Sequence, residues 1–305
     1  MRKAFINTLI RIAEEDKRIF LLTGDLGFSV LEPFRDKFPG RFLNTGVAEQ
    51  NMIGVAAGLA LERKIVFVFS IAPFITLRCF EQVRNDLCFQ NLPVRLIGVG
   101  GGVAYGTAGA THYALEDIAI MRSLANMTVI IPGDPGETEM TIKESINYPG
   151  PIYIRLGRNA ECVYQSSNFK IGKGIIIEKG NDVAIISLGS MLSVAKGVTE
   201  ELKNRKINAC LISMPTVKPL DVKLIKKVAR MTKAIFTIEE HSITGGLGGA
   251  VAEVLSGLNY RAMFKRFAFS DRYDFRVGMQ KYLLEKAGLS KDKIVDDISL
   301  LFQRL

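Results

Sequence analysis

The segment Asn44-Thr45-Gly46-Val47-Ala48-Glu49-Gln50-Asn51-Met52-Ile53-Gly54-Val55-Ala56-Ala57-Gly58-Leu59-Ala60 reads as a polar turn running into a buried helix. At helical spacing Glu49 shares a face with Met52, Ile53, Ala56 and Ala60, which puts a carboxyl group on an apolar stripe. Burying such a group is expensive unless it is used. Two uses fit: the carboxylate complements the positive end of the helix dipole, or it serves a ligand. Periodicity alone does not separate them.

On either side of this segment, helical and strand patterns alternate. Helices are predicted over 2–15, 47–63, 76–90, 115–124 and 137–146, and strands over 19–24, 65–70, 94–100, 128–133 and 151–157. That alternation predicts a parallel sheet with helices on both faces. Periodicity fades over 159–173, the predicted linker, around the polar run Tyr164-Gln165-Ser166-Ser167-Asn168. A second α/β unit follows, with strands at 182–189, 209–215 and 234–240 and helices near 191–204 and 220–230. The glycines in Gly245-Gly246-Leu247-Gly248-Gly249 read as a tight strand-to-helix turn. The expected architecture is two α/β domains, at 1–160 and 172–305.

The size and composition agree with this. A chain of 305 residues, 48% hydrophobic and 23% charged, can bury two cores and is neither disordered nor fibrous. No apolar run is long enough to cross a membrane, and Glu14, Glu15 and Asp16 interrupt the start, so a cytoplasmic protein is expected. The net charge of +9 comes from scattered basic residues without a nucleic-acid-binding motif, which points to anionic ligands or an acidic partner surface and not to nucleic acid. Cys79, Cys88, Cys162 and Cys210 lack metal or redox spacing and are expected to be buried thiols.

Residues 44–60 resemble the glutamate-bearing motif of the pyrimidine-binding domain in transketolases, 1-deoxyxylulose-5-phosphate synthases and the beta subunits of 2-oxoacid dehydrogenases. The resemblance extends along the chain. Thr23-Gly24-Asp25-Leu26 resembles the aspartate-bearing turn, Phe80-Glu81-Gln82-Val83-Arg84-Asn85-Asp86 the helix after the aminopyrimidine pocket, and Gly109-Ala110-Thr111-His112 the Gly-x-Thr-His turn. Glu239-Glu240-His241 and the glycine run are similar to the transketolase C-terminal domain. The resemblance implies that Glu49 hydrogen-bonds N1' of thiamine diphosphate, where a carboxyl group can share the proton that activates the cofactor.

The same resemblance assigns further candidates. Asp25, Phe74, Ile75 and Phe80 fall at cofactor-binding positions; Phe69 is another candidate for the ring that stacks on the aminopyrimidine, and core packing competes for all the phenylalanines. His112 is implied as a proton donor or orienting group. Arg2, Arg158 and Ser29 match positions that hold a substrate phosphate, arginine being suited to bidentate contacts. For His241 a cap or interface role explains as much as a chemical one.

Departures from the family pattern bear on substrate. Ala108 replaces an aspartate that contacts a sugar hydroxyl, and Gly100 replaces a phosphate-contacting histidine. Gly100-Gly101-Gly102 is expected to leave more room in that pocket and to accommodate a bulkier or differently phosphorylated sugar. The Gly-Asp-Gly motif that holds the diphosphate and Mg2+ in full-length transketolases is missing. The implied protein is one subunit of an α2β2 heterotetramer whose partner, an N-terminal transketolase subunit, carries that motif. The implied reaction transfers a two-carbon ketol unit from a ketose to an aldose. Rival readings are a 2-oxoacid dehydrogenase or deoxyxylulose phosphate synthase-like subunit, and a noncatalytic regulatory subunit.

Overall fold

The computed structural model describes residues 1–157, 163–164, 169–258 and 262–305. Arg158 and Cys162 lie outside the described residues, as does most of the predicted linker.

The first sheet contains β1 (Ile19–Thr23), β2 (Phe42–Asn44), β3 (Ile65–Ile71), β4 (Val94–Val99), β5 (Thr128–Ile130) and β6 (Ile152–Leu156). The second contains β7 (Ile175–Glu178), β8 (Val183–Ser187), β9 (Ala209–Ser213), β11 (Ala234–Ser242) and β12 (Met263–Phe269). Between them in sequence, β10 (Thr216–Lys218) leaves its own unit and pairs antiparallel with β5, giving the order β10-β5-β6-β4-β3-β1-β2. The second sheet runs β12-β11-β8-β9-β7, parallel apart from β7. Both sheets are therefore α/β as expected, but β10 stitches the second unit onto the first.

Packing joins the units further. One apolar cluster runs from Met52, Ile53 and Ala56 of the helix Glu49–Leu61, through Val66 and Val129, to Ile186 and Ile235 of the second sheet. Fully burying each such side chain contributes about 1.5–3 kcal/mol, so the units behave as one packed body. The opposite face of the first sheet is covered by the helix Arg2–Glu15, with Phe5 stacked on Phe69 at 5.8 Å. Phe69 is thereby a core residue.

The helix predicted over 76–90 differs most from expectation. It is built from a π-helical turn, Phe74–Arg78, a single α turn, Phe80–Gln82, and a second π-helical stretch, Val83–Cys88. Wider turns of this kind are rare and concentrate at functional sites. Further elements were not predicted, among them β2, only three residues long, β7, β10, β12, only partly buried, and the helices Glu32–Lys37, Gln280–Lys286 and Lys291–Phe302. Cys79, Cys88 and Cys210 are buried and free; burial pushes the Cys79 thiol up to about 12, with the Glu49 charge adding to it.

Candidate active site

The parallel strands of the first sheet end on one edge, where ligands of open α/β sheets bind. Gly24 follows β1, Glu49 opens the helix after β2, Ser70 lies near the end of β3, and the segment after β4 leads to His112. Glu49 is the centre of this group, with a side chain shielded from solvent. Ser70 Oγ donates to Glu49 Oε1 at 2.9 Å, and Arg78 Nη1 donates to Oε2 at 2.6 Å. Gly24 faces the same carboxylate: a Cβ there would stand 3.3 Å from Glu49 Oε1.

The π-helical turn supplies the other walls. The Arg78 guanidinium lies 4.0 Å from the centre of the Phe74 ring, and Phe74 meets His112 edge to face at 5.2 Å. Ile75, the next residue, is fully buried in the apolar cluster, and Phe80 packs partly buried against that cluster. Of the three candidate stacking residues only Phe74 stands in the group with Glu49, Arg78 and His112. Ser70 and Arg78 were not found by sequence reasoning, because both reach Glu49 from positions distant in sequence.

His112 closes the 3-10 turn Ala110–His112, and its Nδ1 lies 3.0 Å from Thr111 Oγ1. Asp25 is exposed with φ 56, exchanging bonds with Asn44: its amide donates to Asn44 Oδ1 at 3.0 Å, and Asn44 Nδ2 donates to Asp25 Oδ1 at 2.9 Å. Ser29 is exposed with φ 63, and its amide donates to Glu32 Oε1 at 2.8 Å. Arg2 opens the first helix and is half-buried. Among the described residues no three His, Cys, Asp or Glu side chains gather as a cation site, and no helix is long and apolar enough to cross a membrane.

The expectation of extra room at Gly100-Gly101-Gly102 fails. A Cβ at Gly100 would lie 2.0 Å from the Tyr105 ring, one at Gly101 1.8 Å from Arg155 Nε, and one at Gly102 2.3 Å from the Glu240 side chain. These glycines permit close packing; Gly100 and Gly102 also have φ of +77° and +65°. Ala108, by contrast, is exposed.

Glu239, Glu240 and His241 end β11, where the register against β12 shifts between Ile238 and Ser242. Glu239 accepts from Leu247 N and Gly248 N, both at 2.7 Å, at the start of the helix Leu247–Ser256. Gly246 is required there, since its Cβ would lie 2.1 Å from Glu239 Oε2. His241 is fully buried; its Nε2 accepts from Ala119 N at 3.3 Å, which leaves Nδ1 to donate to Ser242 O at 2.8 Å. It caps the helix Asp117–Ser123 across the boundary between the units.

Residues 1–162 match the transketolase pyrimidine-binding domain, and residues 172–294 the transketolase C-terminal domain. The chain is 41% identical to an apulose-4-phosphate transketolase subunit of Phocaeicola vulgatus over 84% of this chain and 83% of the relative. It is 37% identical to the 6-deoxy-6-sulfo-D-fructose transketolase subunit SqwH of a Clostridium species, over 97% and 92%. A 1-deoxy-D-xylulose-5-phosphate synthase of Shouchella clausii is 36% identical over 98% of this chain, which spans only 48% of that relative. A solved split-gene transketolase, described as an inactive beta4 tetramer, superposes with a TM-score of 0.89 at 37% identity, covering 99% of this chain and 97% of the other.

Proposed function

Because the chain belongs to the transketolase family through both its pyrimidine-binding and its C-terminal domain, we propose that it is the C-terminal subunit of a split, thiamine diphosphate-dependent transketolase. The enzyme transfers a two-carbon ketol unit from a ketose to an aldose. The relatives that the chain matches over most of their length are transketolase subunits, at 41% and 37% identity, which supports this reading.

The observation that carries the proposal is the Glu49 carboxylate. It is buried at the carboxyl edge of the sheet, yet its partners are side chains, one of them the part-exposed Arg78. A buried acid with an aromatic ring nearby fits an aminopyrimidine, and a noncatalytic subunit would have no use for it. Bound thiamine diphosphate supplies the carbanion chemistry. Glu49 holds the proton shared with the pyrimidine nitrogen, Phe74 lies against the cofactor, and His112 orients or protonates sugar oxygens. Asp25 and Phe80 border the cofactor pocket, while Ile75 supports it from the core.

The diphosphate and Mg2+ are held by an N-terminal partner with a Gly-Asp-Gly motif, in an α2β2 assembly. The two named transketolase relatives act on a phosphorylated and a sulfonated sugar. An anionic ketose is accordingly the proposed donor here, met by Arg2, Ser29 and Arg158. Ala108 withholds one acceptor from its hydroxyls.

Calorimetric titration tests the assembly. Thiamine diphosphate with Mg2+ is expected to bind weakly to the chain alone and tightly once the partner is present. Tight binding by the isolated chain would overturn the divided site.

A further inference from the structure

The carboxylate of Glu240 belongs to the second unit but reaches the loop that carries His112. That loop leaves β4, is closed at its base by the pairing of Gly102 with Ala114, and holds His112 near its end. Gly102 N donates to Ala114 O at 3.1 Å, and Ala114 N donates back to Gly102 O at 2.8 Å. One residue further on, Val103 N donates to Glu240 Oε1 at 2.8 Å. The absence of a side chain at Gly102 admits this approach.

The same carboxylate holds a second element. Gln280 Nε2 donates to Glu240 Oε1 at 2.9 Å and to Oε2 at 2.8 Å, and Ser190 Oγ also donates to Oε2. Gln280 opens the helix Gln280–Lys286 at the end of an irregular strap, residues 273–279, in which burial alternates. Tyr273, Phe275, Val277 and Met279 are exposed while the alternate residues are half-buried. Gly278 N donates to Gly106 O at 3.2 Å, and Tyr113 OH donates to Arg276 O, so the strap grips the loop on both sides of its tip. A Cβ on Gly106 would strike Gly278 O at 2.4 Å, which shows how closely the two chains lie. Behind the carboxylate, Arg155 Nη2 donates to Glu240 O at 2.6 Å and Nη1 to Asp117 Oδ1 at 3.1 Å, fixing the strand end to the first unit.

We propose that Glu240 is a positioning residue for His112: by joining the loop base at Val103 to the strap end at Gln280, it makes the C-terminal unit set the geometry of the catalytic loop. This rests on the reading of His112 given above. Glutamine at this position keeps one acceptor oxygen for Val103 N but puts an amide donor where Oε2 accepted from Gln280 Nε2 and Ser190 Oγ, so donor faces donor at the link to the strap. Small misplacements of a reacting group cost up to about a hundredfold in rate.

The test has two readouts. Amide hydrogen exchange on the chain alone is expected to show Glu240→Gln accelerating exchange across residues 102–114 while the core strands stay protected. In the enzyme assembled with its partner, kcat should fall about tenfold or more with thiamine diphosphate affinity unchanged. Combining Glu240→Gln with Gln280→Glu again matches one donor to each acceptor and should recover much of that loss. Exchange that does not change overturns the proposal, as does a loosened loop with unaltered kcat where His112→Ala lowers kcat. A kcat loss that tracks thermal stability and resists the swap overturns it too. His112→Ala with undiminished kcat would instead remove the reading of His112, and the positioning role with it. If Glu240→Gln does not fold, Gln280→Ala severs only the strap link and carries the same comparison.

Discussion

Among the described residues four glutamates are buried, Glu49 in the first unit among them, and they are held in two different ways. Glu239 is bound by the amides of Leu247 and Gly248, Glu240 by that of Val103, and Glu137 by that of Gly133. A main-chain donor cannot leave without moving the chain that carries it. Glu49 is met instead by Ser70 and Arg78 side chains, and the Arg78 side chain is 39% exposed. Both kinds of site answer the demand that a buried charge be paired. Glu240 and Glu137 accept from side chains as well, but a ligand that took their place would still leave a main-chain amide to hold the acid, whereas at Glu49 each bond can be exchanged for a ligand at the cost of a rotamer change.

Glu49→Gln sharpens the contrast most. The amide keeps the size of the acid and can still bond Ser70, but it cannot share a proton. Exchange of the C2 proton of thiamine diphosphate in the assembled enzyme should slow by about 10²–10⁴-fold, as for loss of a general acid or base. The thermal midpoint should change little, because one polar partner remains and no main-chain group is orphaned. An unaltered exchange rate would break the distinction at its functional end.

Glu239→Gln is expected to do the reverse. It removes half of a two-point cap on the helix Leu247–Ser256 and leaves an amide donor facing an amide donor, at a cost of roughly 1–2 kcal/mol in unfolding free energy. Denaturant unfolding reads this directly. Turnover below the transition should persist, and a loss of turnover without a loss of stability would show that this acid too has a chemical role.

How much of this was legible beforehand follows the same division. Helical spacing marked Glu49 as a buried charge among Met52, Ile53 and Ala56, a local pattern needing no tertiary information, and the resemblance of residues 44–60 to the family motif supplied its use. Phe74 and Ile75 could not be told apart, because a 3.6-residue period does not hold through the π-helical turn Phe74–Arg78. The purpose of Gly100, Gly101 and Gly102 was misread for a different reason: what a glycine makes room for is a neighbour from afar, here Tyr105, Arg155 and Glu240. The roles of Glu239 and Glu240 and the migration of β10 into the first sheet likewise rest on contacts distant in sequence.

Arg78→Met probes the exchangeable partner itself and carries the smallest expected effect. Methionine retains an apolar stem against Phe74 while removing the charge that now occupies Glu49 Oε2. In the cofactor-free enzyme this leaves Glu49 with Ser70 alone, so the thermal midpoint should fall. An aminopyrimidine nitrogen that takes Oε2 no longer has to dislodge a guanidinium, so affinity for thiamine diphosphate should rise. The exposed half of the ion pair limits its strength, which places the gain at about tenfold, or about 1.4 kcal/mol. Calorimetric titration of the assembled enzyme, with thermal scans at zero and saturating cofactor, gives both quantities. If affinity falls instead, Arg78 stays with the cofactor or substrate after binding. The Glu49 site would then be as fixed as the amide-bound acids, and the contrast between the two kinds of buried glutamate would no longer explain which one binds the ligand.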